Sequence, residues 1–215
     1  MKLNFKKRVF TSFFLFSLII LIYNSKYLFV YSSIIFGSIA IIEFINLSKK
    51  FNKIKLLNYI SNFFFISYLS IFLISSFIFQ NFVHLKIIFF SILLGCIASD
   101  IGGYIIGNLI KGPKLTRISP NKTISGSLGS FVFTGLTISI FIFYYTKNFY
   151  LDILIISFMT SLSCQIGDLF FSFLKRKAKV KDTGNIFPGH GGVLDRIDGI
   201  LFGVPTGYLT FIWMN

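Results

Sequence analysis

Acidic residues are scarce in this chain. Only seven of its 215 residues are Asp or Glu, against 21 Lys and Arg, and charged residues of all kinds make up 13%. So little charge cannot cover the surface of an ordinary soluble domain of this length. Cysteine and histidine are scarcer still, with two of each. Cys96 and Cys164 lie inside apolar runs with no Cys or His at metal-ligand spacing, which excludes a zinc-type site and leaves them as packing residues. Four prolines, no Gly/Ser-rich or acidic linker and no evident repeat leave one domain over 1–215, with helical spans in 1–85 and the chemistry in 86–215.

What is present in abundance is apolar. Hydrophobic residues make up 54% of the chain and aromatics 19%, Phe occurs 30 times, and the mean hydropathy is +0.79. The bilayer must be the solvent. About 20 apolar residues cross a hydrocarbon core of roughly 30 Å. Cutting the chain at charges and turn residues yields runs near 9–23, 27–47, 57–81, 87–110, 126–146, 149–174 and 197–214. The expected fold is therefore all-α, a polytopic membrane protein of about seven transmembrane helices. The first run would reach only about 22 Å, so it and the second can form a tilted or partly inserted hairpin around Asn24, Ser25 and Lys26. No small-x-small cleavage site follows it, so a retained span is expected, not a secretory signal.

A net charge of +14 in a soluble protein would point to nucleic acid, but here the position of each charge is the better guide. In alternate loops the basic residues are lopsided: all but Lys26, Lys86 and Lys147 fall on one side. By the positive-inside rule that side is cytoplasmic, with the N-terminus, and no nucleic-acid partner is expected. The expected location is a bacterial inner membrane. The last two basic loops also carry Gly, Pro, Ser, Thr, Asp and His, which topology alone does not require.

The acidic residues are Glu43, Asp100, Asp152, Asp168, Asp182, Asp195 and Asp198. An ionised Asp in mid-membrane costs about 2.5–3.5 kcal/mol, so Asp100 and Asp168, inside the fourth and sixth runs, should face a cavity, a partner or a metal. Asp195 and Asp198 are three apart in L-D-R-I-D-G, which on a helix places both carboxylates on one face with Arg196 turned away. Together with Asp168 they would suit a hard divalent cation, Mg²⁺ above all. Pro188 to Gly192 reads P-G-H-G-G directly before an expected helix start at Val193 or Leu194, where backbone N–H groups could hold an anion. Lys175, Arg176 and Lys181 lie beside it, and His190 could donate to a phosphate, act as an acid or cap the turn. His84, in the opposite loop, reads as surface. A second anion cradle is expected in the loop from Lys114 to Ser127, where Ser119, Lys122 and Thr123 offer two hydroxyls and an ammonium and Gly126 and Gly129 open the next span.

From Ser172 to Asp198 the chain reads SFLKRKAKVKDTGNIFPGHGGVLDRID. This closely resembles the signature of the phosphatidate cytidylyltransferases. Upstream, Asp100 to Gly129, with S-P-N-K-T, and Gln165-Ile166-Gly167-Asp168 resemble the family's other segments, so the resemblance covers roughly the C-terminal half. Ser125 stands where many members carry Glu, and the chain is shorter than many members. Glu43, near a cytoplasmic end, receives no assignment.

The resemblance implies that the phosphate of phosphatidic acid attacks the α-phosphorus of CTP, giving CDP-diacylglycerol and pyrophosphate. It implies a catalytic set of Asp168, Asp195, Asp198, Lys175, Arg176, Lys181 and His190, with Asp168, Asp195 and Asp198 on Mg²⁺ and room for a second, monovalent cation. Substrate contacts fall to Ser119, Lys122, Thr123, Asp100, Ser172, Asp182, Gly191, Gly192 and Arg196, Asp100 either completing the metal shell or holding a Lys. A homodimer is left open. The rival readings are a membrane lipid or polyprenol kinase, which needs similar equipment but releases a nucleoside diphosphate, and a cation or lipid transporter using Asp100 and Asp168, which has no need of two phosphate-suited loops.

Overall fold

The computed structural model describes residues 13, 15–52, 54–116, 118–120, 122–187 and 191–214. Helices dominate: α1 (Leu15–Asn24), α2 (Lys26–Phe51), α3 (Lys55–Phe79), α4 (Val83–Ile110), α5 (Ile124–Thr146), α6 (Asp152–Lys177) and α7 (Leu194–Met214). The last six are long and apolar enough to cross a membrane, and the protein is an integral membrane protein. Part of the first expected span, 9–23, lies outside the described residues; what is described of it is helical, mostly as the short α1. The expected fold class holds, with most helix ends a few residues beyond the apolar runs because polar residues complete the terminal turns. Lys49 and Lys50 close α2, for example, and Lys175, Arg176 and Lys177 close α6, where they complement the helix dipole. His84 is exposed but sits on the first turn of α4, not in a loop.

Local chemistry explains several helix ends. The side chains of Ser25 and Thr123 accept backbone N–H groups at the starts of α2 and α5. After α6 the chain reverses through a left-handed Lys179 (φ 56°), with Lys179 N–H donating to Arg176 O and Val180 N–H to Lys175 O. That paired pattern satisfies carbonyls that the helix leaves open. It also turns the following segment back from the helix axis.

The chain divides into two compact units, Met1–Gln80 with Leu174–Ile197, and Asn81–Phe173 with Asp198–Asn215. In the first, α2 packs on α3, with Phe44 and Phe65 stacked at 3.9 Å and a polar knot in which Ser48 Oγ lies 2.6 and 2.7 Å from the side-chain oxygens of Asn58 and Asn62.

In the second unit small residues let helices approach closely. A Cβ on Gly102 would lie 2.7 Å from Gly129 O, and one on Gly126 would lie 2.7 Å from Gly103 O, so α4 and α5 touch backbone to backbone. Thr134 and Ser130 tie the seam by donating to Gly95 O and Ser99 O. On α7, Gly199, Gly203 and Gly207 recur every fourth residue, one helical face. Their neighbours on α6, Asp168, Cys164 and Thr160, follow the same spacing. Both sulfurs, Cys96 and Cys164, abut Gly203, which accounts for the two cysteines as packing residues.

This packing predicts opposite outcomes for two glycine substitutions. Gly203→Ala puts a methyl into the two sulfurs and should lower stability by about 1–3 kcal/mol. At Gly135 the nearest atom to an added Cβ is Ser157 Oγ at 3.8 Å, so Gly135→Ala should be neutral or stabilising by up to about 1 kcal/mol. Thermal unfolding in detergent reads both, and equal effects would contradict the seam.

Candidate active site

The second unit gathers one set of the expected residues. The stripe of small residues brings α7 onto α6, so that a Cβ on Gly167 would lie 2.7 Å from Asp198 O and one on Gly199 would lie 2.8 Å from Asp168 Oδ1. Asp168, 16% exposed in its side chain, accepts from Lys122 Nζ at 2.8 Å. Asp100, on α4, is exposed and lies within hydrogen-bonding reach of Asp168, and the other charged groups acting on it are Asp198 and Lys122. Asp198 is buried at 9% exposure, and its Oδ1 accepts from Gly199 N–H at 3.0 Å. Three carboxylates thus lie near one another, with Lys122 beside Asp168 and Asp100, an arrangement whose mutual repulsion a bound cation would relieve.

The same region continues as hydroxyls and amides. Ser127 Oγ donates to Gln165 Oε1 at 2.5 Å, Gln165 Nε2 reaches Ser161 Oγ at 3.3 Å, and Ser161 meets Ser99 at 3.2 Å. Gln165 belongs to the Q-I-G-D stretch, one turn before Asp168 on α6.

Lys122 is delivered by the loop between α4 and α5. That loop closes on itself through Leu115 N–H to Lys122 O (2.8 Å), Lys122 N–H to Ser119 O (3.1 Å) and Ile124 N–H to Pro113 O (3.1 Å). Thr123 spends its hydroxyl oxygen capping Gly126 N–H, at 3.1 Å, and contacts Ser125 Oγ at 3.0 Å. Ser125 donates to Lys111 O and so ties the start of α5 to the end of α4. Ser119 is half-buried, and Lys114, Leu115, Thr116 and Pro120 line a recess beside it.

The first unit gathers the other set. Lys175 Nζ donates to Asp195 Oδ1 at 2.8 Å, with side chains only 13% and 4% exposed. Asp195 Oδ2 accepts Thr183 N–H (2.8 Å) and Gly192 N–H (3.0 Å), with Thr183 Oγ1 at 3.0 Å. Glu43, on α2 and 5% exposed, completes the network. Its Oε1 accepts Val193 N–H at 3.0 Å, and its Oε2 accepts Leu194 N–H at 2.8 Å and lies 2.9 Å from Thr183 Oγ1.

This changes the reading of the glycine turn. The N–H groups of Gly192, Val193 and Leu194, expected to be open to a phosphate, are engaged by the carboxylates of Asp195 and Glu43. Arg176, Lys181, Asp182 and Arg196 are exposed, and Ser172 is half-buried on α6. Gly191, at φ 81°, passes so close to Asp195 that a Cβ would lie 2.8 Å from Oδ2. His190, with Pro188 and Gly189, lies outside the described residues.

Of the expected metal trio, Asp168 and Asp198 belong to one unit and Asp195 to the other. Among the described residues no three His, Cys, Asp or Glu side chains already converge as a metal site. The donor chemistry nevertheless fits a hard cation: Asp168, Asp198 and Asp100 offer carboxylate oxygens.

Glu43 is the residue that the sequence reading passed over. Its signal was present, since it is the only acid before Asp100 and sits in an apolar run, where the cost of a buried charge applies as it does to Asp100 and Asp168. Thr183 and the α7 glycine stripe were also missed, the latter legible as G-x-x-x-G-x-x-x-G.

Residues 2–213 match the Cytidylyltransferase family, and the chain belongs to that family. Among curated relatives it is similar to a phosphatidate cytidylyltransferase of Helicobacter pylori strain J99, 43% identical over 112 residues, covering 52% of this chain and 42% of that protein. A phosphatidate cytidylyltransferase of Mycobacterium leprae is 44% identical over 114 residues, 52% of this chain and 36% of that protein. One of Bacillus subtilis is 42% identical over 113 residues, with coverage of 52% and 42%. The matched part therefore spans less than half the length of these relatives.

The Lys175–Asp195 pair predicts a double-mutant result. Lys175→Met leaves a nearly buried carboxylate without its cation and should cost about 3 kcal/mol of stability. Adding Asp195→Asn should recover part of that loss, as thermal unfolding would register. Additive losses would contradict a direct pair.

Proposed function

We propose that the chain acts as a phosphatidate cytidylyltransferase, converting CTP and phosphatidic acid into CDP-diacylglycerol and pyrophosphate at the cytoplasmic face of a bacterial inner membrane. Membership of the Cytidylyltransferase family carries the reaction class, the relatives' names supply the substrates, and the carboxylate–lysine cluster around Asp168 is the observation that supports it in the structure.

In this reading an oxygen of the lipid phosphate forms a bond to the α-phosphorus of CTP. The bond from that phosphorus to the oxygen bridging to the β-phosphate breaks, and its electrons leave with pyrophosphate. No covalent enzyme intermediate is needed, because the attacking phosphate is already anionic, and positioning with charge neutralisation supplies most of the rate. Asp168 and Asp198, with Asp100, would hold Mg²⁺, which when bound offsets charge on the triphosphate. Lys122, paired to Asp168, would offer its ammonium to a phosphate at the carboxylates. Lys175 is oriented by Asp195, and with exposed Arg176 and Lys181 it supplies positive charge for the nucleotide phosphates. Ser119 and Thr123 border the loop that delivers Lys122. The intramembrane carboxylates suit a reaction whose one substrate comes from water while the other keeps its acyl chains in the leaflet.

Purified protein in detergent, given CTP, phosphatidic acid and Mg²⁺, should release pyrophosphate in step with CDP-diacylglycerol. Asp168→Asn and Asp198→Asn should each lower kcat on the order of 10²-fold or more. A well-folded wild-type protein that forms neither product, or full activity in both variants, would overturn the proposal.

A further inference from the structure

We propose that Glu43 is a positioning residue for the nucleotide-phosphate groups of the first unit, fixing Thr183 and the start of α7 so that Asp195 can hold Lys175. The inference rests on the function proposed above and adds a residue from the N-terminal spans to its machinery.

A helix start is ordinarily capped by a side chain at its own N-cap, commonly Ser, Thr, Asp or Asn. Val193, immediately before α7, has no such side chain. The cap comes instead from Glu43, 150 residues away in sequence, which accepts the Val193 and Leu194 N–H groups with one oxygen each. A carboxylate is well suited to that place, where the helix dipole favours negative charge.

Thr183 links this cap to the charged pair. Its single hydroxyl proton lies between Glu43 Oε2 (2.9 Å) and Asp195 Oδ2 (3.0 Å), so the two carboxylates compete for one donor while Thr183 N–H holds Asp195. The other oxygen of Asp195 carries Lys175 Nζ. Glu43, Thr183, Asp195 and Lys175 therefore form one continuous chain of contacts.

The glycines fit this arrangement. A Cβ at Gly184 or Gly192 would run into the Glu43 carboxylate, and one at Gly191 would meet Asp195. Close carboxylate approach thus accounts for glycine at these positions, beyond any need of a phosphate for bare backbone.

Glu43→Gln keeps the shape but replaces one acceptor oxygen with a donor NH₂ facing donors, whereas Glu43→Asp keeps the charge and shortens the reach. Amide hydrogen exchange and steady-state kinetics on the full chain in detergent test the idea together. In Glu43→Gln the Val193 and Leu194 amides should exchange at least about tenfold faster, and KM for CTP should rise roughly tenfold, the loss of about one charge-assisted hydrogen bond. KM for phosphatidic acid should stay unchanged, and Glu43→Asp should restore part of the CTP affinity. Unchanged exchange and unchanged KM for CTP in an active Glu43→Gln would overturn this inference alone. Loss of folded protein in both variants, or a fall in kcat with KM for CTP unmoved, would reduce Glu43 to a fold residue and overturn it too. A wild-type protein that makes no CDP-diacylglycerol would instead overturn the function on which it rests.

Discussion

A carboxylate carried into an apolar helix must be met by donors or cations, and that demand organises the polar parts of this protein. Placing one there costs about 2.5–3.5 kcal/mol. Hydrogen bonds to a charged group return about 1.5–3 kcal/mol each. Glu43 is met by two backbone N–H groups with a shared hydroxyl beside it, and Asp195 by a lysine and two N–H groups. Both are therefore fully compensated within the protein. Asp100, Asp168 and Asp198 are grouped differently: Lys122 pairs with Asp168 and also acts on Asp100, and Asp198 lies beside them. The two groupings separate a carboxylate pair that shapes the chain from a cluster of three acids suited to a cation.

Small residues make this placement possible. Side-chain volume would hold α7 off α6, and the four-residue repeat of Gly199, Gly203 and Gly207 removes it along one line. Asp168 lies at one end of the facing line, which is why it neighbours Asp198 despite thirty positions of separation. The same device, used between α4 and α5, holds the end of α4 near the loop that presents Lys122. In a bilayer, where apolar association between helices is weak, close backbone approach of this kind supplies much of the packing.

Much of this was legible in the chain itself. The six long helices fall on the apolar runs because charge and turn residues interrupt hydropathy where a span ends. Asp100 and Asp168 stood out by the cost of their location, and the helix start expected at Val193 or Leu194 falls at Leu194. What the sequence could not convey was which partner each acid takes. Asp195 and Asp198 differ by three residues, yet one is bound to Lys175 and the other borders the Asp168 group. That difference follows from tertiary packing and leaves no trace in spacing. The glycine turn likewise read as an open anion cradle, because nothing local reveals that Glu43 reaches it from α2.

The central claim is that the carboxylates and lysines serve cytidylyl transfer, and the fate of individual phosphates tests it most directly. Purified protein would be given phosphatidic acid, Mg²⁺ and CTP labelled either at the α- or at the γ-phosphate. The account predicts that α-label enters the lipid fraction while γ-label appears only in pyrophosphate. Transfer of γ-label to lipid would mark the chain as a kinase and contradict the account.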